Sequence, residues 1–239
     1  MKRAYQTWRS PSLGRDMELL VFGHAGARIL AFPTSKGRFF DWEDRGIIAA
    51  LGEHIERGDI QIFAVDSVDA EAWLAPGLDA AARARRHAEY DRYLLSEVVP
   101  FTRHQNPTGV LIAAGTSFGA YHAVNFALRH PTLVTRAIGM SGPYEVTRWT
   151  DGYIDDNVYF NSPCDFIPHE HEPARLDALR RLDVILAIGR DDHARGDNER
   201  LAEILRDKGI RPALRIWDGS AHDWPWWQQM MKLYVNGAD

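Results

Sequence analysis

Five uncharged residues, Val110–Ala114 (VLIAA), run directly into Gly115-Thr116-Ser117-Phe118-Gly119. Small and apolar residues at helical spacing then follow over Ala120–His130, closed by Pro131. A short, wholly apolar run is the mark of a strand buried on both faces. A strand that passes within five residues into a helix must turn sharply. The pattern G-x-S-x-G at such a turn is the setting in which a serine hydroxyl is pushed out beyond a sheet edge. Gly115 and Gly119 remove the side chains that would clash there, and Ala120, Ala123 and Ala127 let the helix lie close to the sheet. Ser117 is therefore the candidate nucleophile. The amide of Phe118, at the positive end of the helix, is a candidate oxyanion donor.

The rest of the chain repeats this alternation. Met17–Phe22, Arg28–Phe32, Ile60–Val65, Arg136–Ser141, Val184–Ile188 and Leu214–Trp217 read as strands. Helices are expected from Asp41 or Asp44 to about Ile55, over Asp79–Val99 with Pro100 as its stop, over Asn198–Lys208 with Asp197 as cap, and from Asp223 onward. Gly142–Pro173, with four prolines, reads as a long ordered loop near the site. Met17–Phe22 and Arg28–Phe32, joined by Gly23-His24-Ala25-Gly26, suggest an antiparallel hairpin. Strands alternating with helices imply an α/β fold, a mostly parallel central sheet with helices on both faces. At 239 residues one domain spanning 1–239 is expected.

A serine hydroxyl is a weak nucleophile until a base takes its proton, and the base needs a carboxylate to fix its tautomer. On this kind of sheet the order along the chain is Ser, acid, His. His222, in Gly219-Ser220-Ala221-His222-Asp223, stands between the last strand and the last helix. Ile188-Gly189-Arg190-Asp191-Asp192-His193 follows a strand directly. Asp191 and Asp192 are both candidates there. Asp192 is favoured because the acid falls three residues after the glycine at the strand end. The second oxyanion amide is expected from Thr34 or Ser35, in the loop after Arg28–Phe32. His169 and His171, flanked by prolines, read as loop residues and not as metal ligands, and no metal is expected. Trp224, Tyr159 and Phe160 are candidates to line a substrate pocket. Tyr121 and His122 read as packing residues, Arg83, Arg85 and Arg86 as a solvated face, and Cys164 as inert.

The net charge of −5 gives no electrostatic reason to expect nucleic acid or an anionic membrane as partner. A single cysteine rules out a disulfide within the chain. Met1–Ser10 has charge and no apolar run, so no secretory signal is expected and a cytoplasmic protein is.

Five segments together carry a family resemblance: Phe32–Gly46 (FPTSKGRFFDWEDRG), Gly115–Ala123 (GTSFGAYHA), Asp155–Pro168 (DDNVYFNSPCDFIP), Gly189–Asn198 (GRDDHARGDN) and Ala221–Trp227 (AHDWPWW). Over nearly its whole length the chain resembles the esterase family of α/β-hydrolases related to esterase D, S-formylglutathione hydrolase and the mycolyltransferases. The resemblance implies a minimal α/β-hydrolase fold with little or no lid, no cofactor, and ester hydrolysis through an acyl-enzyme. Carried onto matching positions, it implies Ser117, Asp192 and His222 as the triad. Arg190 departs from it, since members often have an acidic residue there, and no clear residue set for a glutathione thioester is seen. The expected partner is a small-molecule ester, with room for a homo-oligomer. Thioester hydrolysis or acyl transfer through the same three residues is the alternative, and a non-catalytic binding module on this fold the more distant one.

Overall fold

A computed structural model describes residues 1–235. Eight strands form one sheet: β1 (Arg3–Ser10), β2 (Arg15–Phe22), β3 (Ala27–Phe32), β4 (Ile60–Val65), β5 (Leu111–Thr116), β6 (Arg136–Met140), β7 (Asp183–Gly189) and β8 (Ala213–Trp217). Their order across the sheet is β1-β2-β4-β3-β5-β6-β7-β8. β1 pairs with β2 and β2 with β4 in antiparallel fashion, and every other neighbour is parallel.

The expected hairpin of Met17–Phe22 with Arg28–Phe32 does not form. β4 lies between them, so β2 and β3 never touch. The hairpin is β1–β2 instead. β1, RAYQTWRS, carries no apolar run because it is an edge strand whose alternate residues face solvent.

Residues along the central strands alternate between two cores. Leu30 and Phe32 of β3 face one core with Phe63, Val65, Ala113, Tyr121 and Leu186. Ile29 and Ala31 face the other with Ile62, Ala64, Ile112, Ala114 and Trp227. The first core is covered by the helices Ala80–Tyr93, Phe118–Arg129 and Arg195–Asp207. The second is covered by short helices between Asp41 and Arg57 and by Trp224–Tyr234.

Helix boundaries depart from expectation where glycine and proline act. Asp41–Asp44, Ile47–Ala50 and Gly52–Arg57 are separate turns, not one helix, and Gly46 sits between the first two at φ 80°. Asp41 is no cap. Pro100 does not stop its helix either. The helix loosens into a π-turn at Leu94–Val98 and resumes as Val99–Gln105, with Pro100 placed directly after the π-turn. Asp197 lies inside the first turn of Arg195–Asp207. Its carboxylate accepts the amides of Tyr144 and Glu145 and pairs with Arg148, which pins the segment after β6. That segment contains short helical turns and ends in an unforeseen helix, Pro173–Arg181. Arg86 is no solvated residue: it pairs with Glu71 and Glu89 and donates to the Leu13 carbonyl. No helix among the described residues is long and apolar enough to cross a membrane.

Candidate active site

Three of the parallel strands end at the same edge of the sheet, and each delivers one polar side chain. β5 ends at Thr116, and Ser117 follows at φ 53°, ψ −121°. That is a costly conformation for a residue with a Cβ. It is held by the Ser117 amide, which donates to the Met140 carbonyl at 2.8 Å. It is also held by close approach of bare backbone. A Cβ on Gly115 would lie 2.0 Å from the Gly119 carbonyl oxygen, and one on Gly119 would lie 2.2 Å from that of Pro33.

After β7, the Asp192 amide donates to the Gly189 carbonyl, turning the Asp192 side chain inward. Asp192 is buried, whereas Asp191 is exposed. After β8, Ala221 is buried at φ 47° and presents His222. The His222 ring rests against the edge of Trp227, whose indole N–H donates to Ser141 Oγ.

The three side chains meet in a line. His222 Nδ1–H donates to Asp192 Oδ2 at 2.7 Å, and Ser117 Oγ–H donates to His222 Nε2 at 3.0 Å. The carboxylate, which can only accept, fixes that tautomer. Burial pushes the Asp192 carboxyl up, but hydrogen bonds from His222 and from the Ala194 amide outweigh it and hold its pKa below the usual 3.8. Asp192 thus stays ionised beside an imidazole that can gain a proton. His193 is mostly exposed, with Nδ1 3.3 Å from Asp192 Oδ1. Asp192, His193 and His222 bring ligand atoms within 4.8 Å of one another. A cation there would have to displace the proton joining His222 to Asp192.

Beside Ser117 lies the turn Thr34–Gly37, closed by the Gly37 amide donating to the Thr34 carbonyl at 2.8 Å. Phe32 and Pro33 press their carbonyls against Gly119, which sets this turn against the elbow. Among the described residues, the amides of Thr34, Ser35 and Phe118 find no acceptor. Three donors near a nucleophile and free of partners are what an oxyanion would use.

The aromatic candidates divide. Trp224 is half-buried, stacks edge-on against Trp227 and lies under Arg45, one ring removed from His222. Tyr159 packs its ring against those of Phe160 and His169. They line a separate cavity of about 490 Å³ with Arg129, His130 and Arg175, at the far end of the helix Phe118–Arg129. Phe118, next to the nucleophile, meets the Trp149 ring with centroids 4.8 Å apart, besides the rings of Tyr121 and His122 on its own helix. Nothing in the local sequence around Trp149 singled it out. His169 bonds to the Asp165 carbonyl, and burial pushes the Cys164 thiol up, so neither joins the site.

A central parallel sheet with a strained serine after β5, a carboxylate after β7 and a histidine after β8 defines a serine hydrolase of the α/β-hydrolase fold. The family model described as "Putative esterase" matches residues 40–233. The chain belongs to that esterase family. Solved structures agree in fold. A ferulic acid esterase is 18% identical over 98% of this chain and 96% of its own, with a TM-score of 0.78. An S-formylglutathione hydrolase from Staphylococcus aureus is 17% identical over 98% and 96%, with a TM-score of 0.68. Another, from Agrobacterium tumefaciens, is 14% identical over 98% and 93%, with a TM-score of 0.76. No curated protein sequence matches the chain.

Proposed function

We propose that this protein hydrolyses small or moderately sized carboxylic esters through an acyl-enzyme on Ser117. The observation that carries the reading is the unbroken line from Ser117 Oγ through both nitrogens of His222 to Asp192. Ser117 Oγ attacks the ester carbonyl while His222 Nε2 takes its proton. Asp192 holds the ring and balances the positive charge the imidazole acquires. The negative charge on the former carbonyl oxygen is met by the Phe118 amide and by that of Thr34 or Ser35. The tetrahedral intermediate collapses, His222 gives its proton to the departing alcohol, and the acyl group stays on Ser117. Water, deprotonated by His222, then attacks the acyl carbon, and His222 returns that proton to Ser117 Oγ as the acid departs.

No metal or cofactor enters this sequence. An alcohol or a thiol in place of water would make the same acyl-enzyme a transferase, and a thioester in place of an ester a thioesterase. Turnover of p-nitrophenyl esters of rising chain length, with water, alcohol and thiol acceptors in competition, tests the assignment. Fastest turnover of short esters to the free acid supports it. Transfer outrunning hydrolysis points to the transferase, and an unreactive Ser117 to a binding module.

A further inference from the structure

The helix that begins at Ser117 carries a second histidine one turn in. His122 is buried, and its Nε2–H donates to Asp69 Oδ1 at 2.7 Å. Asp69 is buried as deeply, in the segment after β4. Its other oxygen, Oδ2, accepts the amide of Lys36 at 3.0 Å. Lys36 is the third residue of the Thr34–Gly37 turn and sits at φ 55°. A turn of this form places a positive φ at that position, where glycine is usual. A lysine there costs conformational energy unless the surroundings hold it. The turn is held at three points. Thr34 Oγ1–H donates to Asp41, Ser67 Oγ–H donates to the Gly37 carbonyl, and the Lys36 amide donates to Asp69. Of these three partners, only Asp69 is also bonded to the nucleophile's helix.

From this geometry we infer that Asp69 and His122 are positioning residues that lock the two halves of the oxyanion hole in register. One half is the Phe118 amide, at the start of the helix that His122 belongs to. The other is the Thr34 or Ser35 amide, in the turn that Asp69 anchors. The His122 ring is wedged between the Phe118 and His87 rings, with centroids 5.2 and 5.4 Å away, so it cannot swing free of Asp69. Because the Lys36 amide is consumed by Asp69, the donor on this side of the hole is the amide of Thr34 or Ser35. The inference rests on the oxyanion assignment made above.

The test compares Asp69→Ala, Asp69→Asn and His122→Phe with the wild type. The readouts are kcat and KM on a p-nitrophenyl ester, the inhibition constant of a trifluoromethyl ketone, and Tm. Oxyanion contacts act in the transition state and not on the bound ester. Asp69→Ala and His122→Phe should therefore lower kcat by about 10- to 100-fold with KM changed less than about threefold. Affinity for the trifluoromethyl ketone, which forms a tetrahedral adduct, should fall in parallel. Asp69→Asn keeps one acceptor oxygen and the side-chain volume, so it should fold even if the alanine variant does not, and should lose less than alanine does. Folded Asp69→Asn and His122→Phe proteins with kcat within about twofold of wild type, or with KM and kcat falling together, would overturn the inference. If the wild type cleaved no ester, the underlying assignment would fail instead. An active wild type beside unaffected variants would sink the positioning role alone.

Discussion

Gly189 meets Ser220 backbone to backbone: a Cβ on Gly189 would lie 1.8 Å from the Ser220 carbonyl oxygen. The two residues stand three before Asp192 and two before His222. Arg190 N donates to the Trp217 carbonyl and Asp191 N to the Gly219 carbonyl, so the loops after β7 and β8 are stitched together along their backbones. The 2.7 Å bond from His222 to Asp192 follows from that contact.

Gly189→Ala should therefore force the two loops apart, costing about 1–3 kcal/mol of stability and a larger share of activity. Denaturant unfolding and kcat/KM measured on the same preparation check it. Gly196→Ala is the matched control. Gly196 lies in the helix Arg195–Asp207, with no atom within 4 Å of a would-be Cβ. That substitution should be neutral or stabilise by up to about 1 kcal/mol.

Asp192 and Asp191 are adjacent in sequence and opposite in environment. Asp192→Asn should lower kcat about 10³-fold or more, because an amide can no longer fix the His222 tautomer. Asp191→Asn, at an exposed carboxylate, should stay within about twofold. Steady-state kinetics on the two variants decide it, and a reversed ranking would move the acid to Asp191.

The depressed Asp192 pKa also predicts a pH dependence of folding. Above the ordinary carboxylate value of 3.8 the ionised group is present in both states, and its hydrogen bonds stabilise the fold in full. As pH falls through that value the unfolded chain takes up a proton first, and the contribution disappears once the folded pKa is passed. The Tm gap between wild type and Asp192→Asn should accordingly narrow below about pH 4 and be widest near neutrality. A gap that is constant or grows on acidification contradicts the electrostatic account.

How the site was legible in the sequence depends on distance along the chain. Ser117 and Asp192 each follow a largely buried strand and His222 follows the more mixed β8 (ALRIW), and strand-end position can be read locally. Strand pairing cannot. β4 inserts between β2 and β3 through contacts more than thirty residues apart, and nothing in Met17–Phe32 alone announces it. Asp69 and His122 lie 53 positions apart, and an isolated histidine on an apolar helix face reads as packing until its partner is seen. The cavity that Tyr159 and Phe160 line with Arg129 and His130 is likewise set by tertiary contacts, between the segment after β6 and the C-terminal end of the helix that follows Ser117, and no local pattern gives it.

Gly119→Ala tests how closely the oxyanion turn is fitted to the elbow. The new methyl would strike the Pro33 and Phe32 carbonyls, so the turn must move or the helix must lift. Activity should fall at least about 10-fold, with the loss in kcat and not in KM.

The central claim is that Ser117 is the nucleophile, activated by His222. The most direct measurement is covalent labelling of the folded protein by a fluorophosphonate, with the modified residue located by peptide mass spectrometry, alongside esterase rates of Ser117→Ala and His222→Ala. The account predicts a label on Ser117, none on Ser117→Ala, and rates in both variants lower by about 10³-fold or more with Tm nearly unchanged. Esterase activity retained in Ser117→Ala, or a label on another residue, would contradict it.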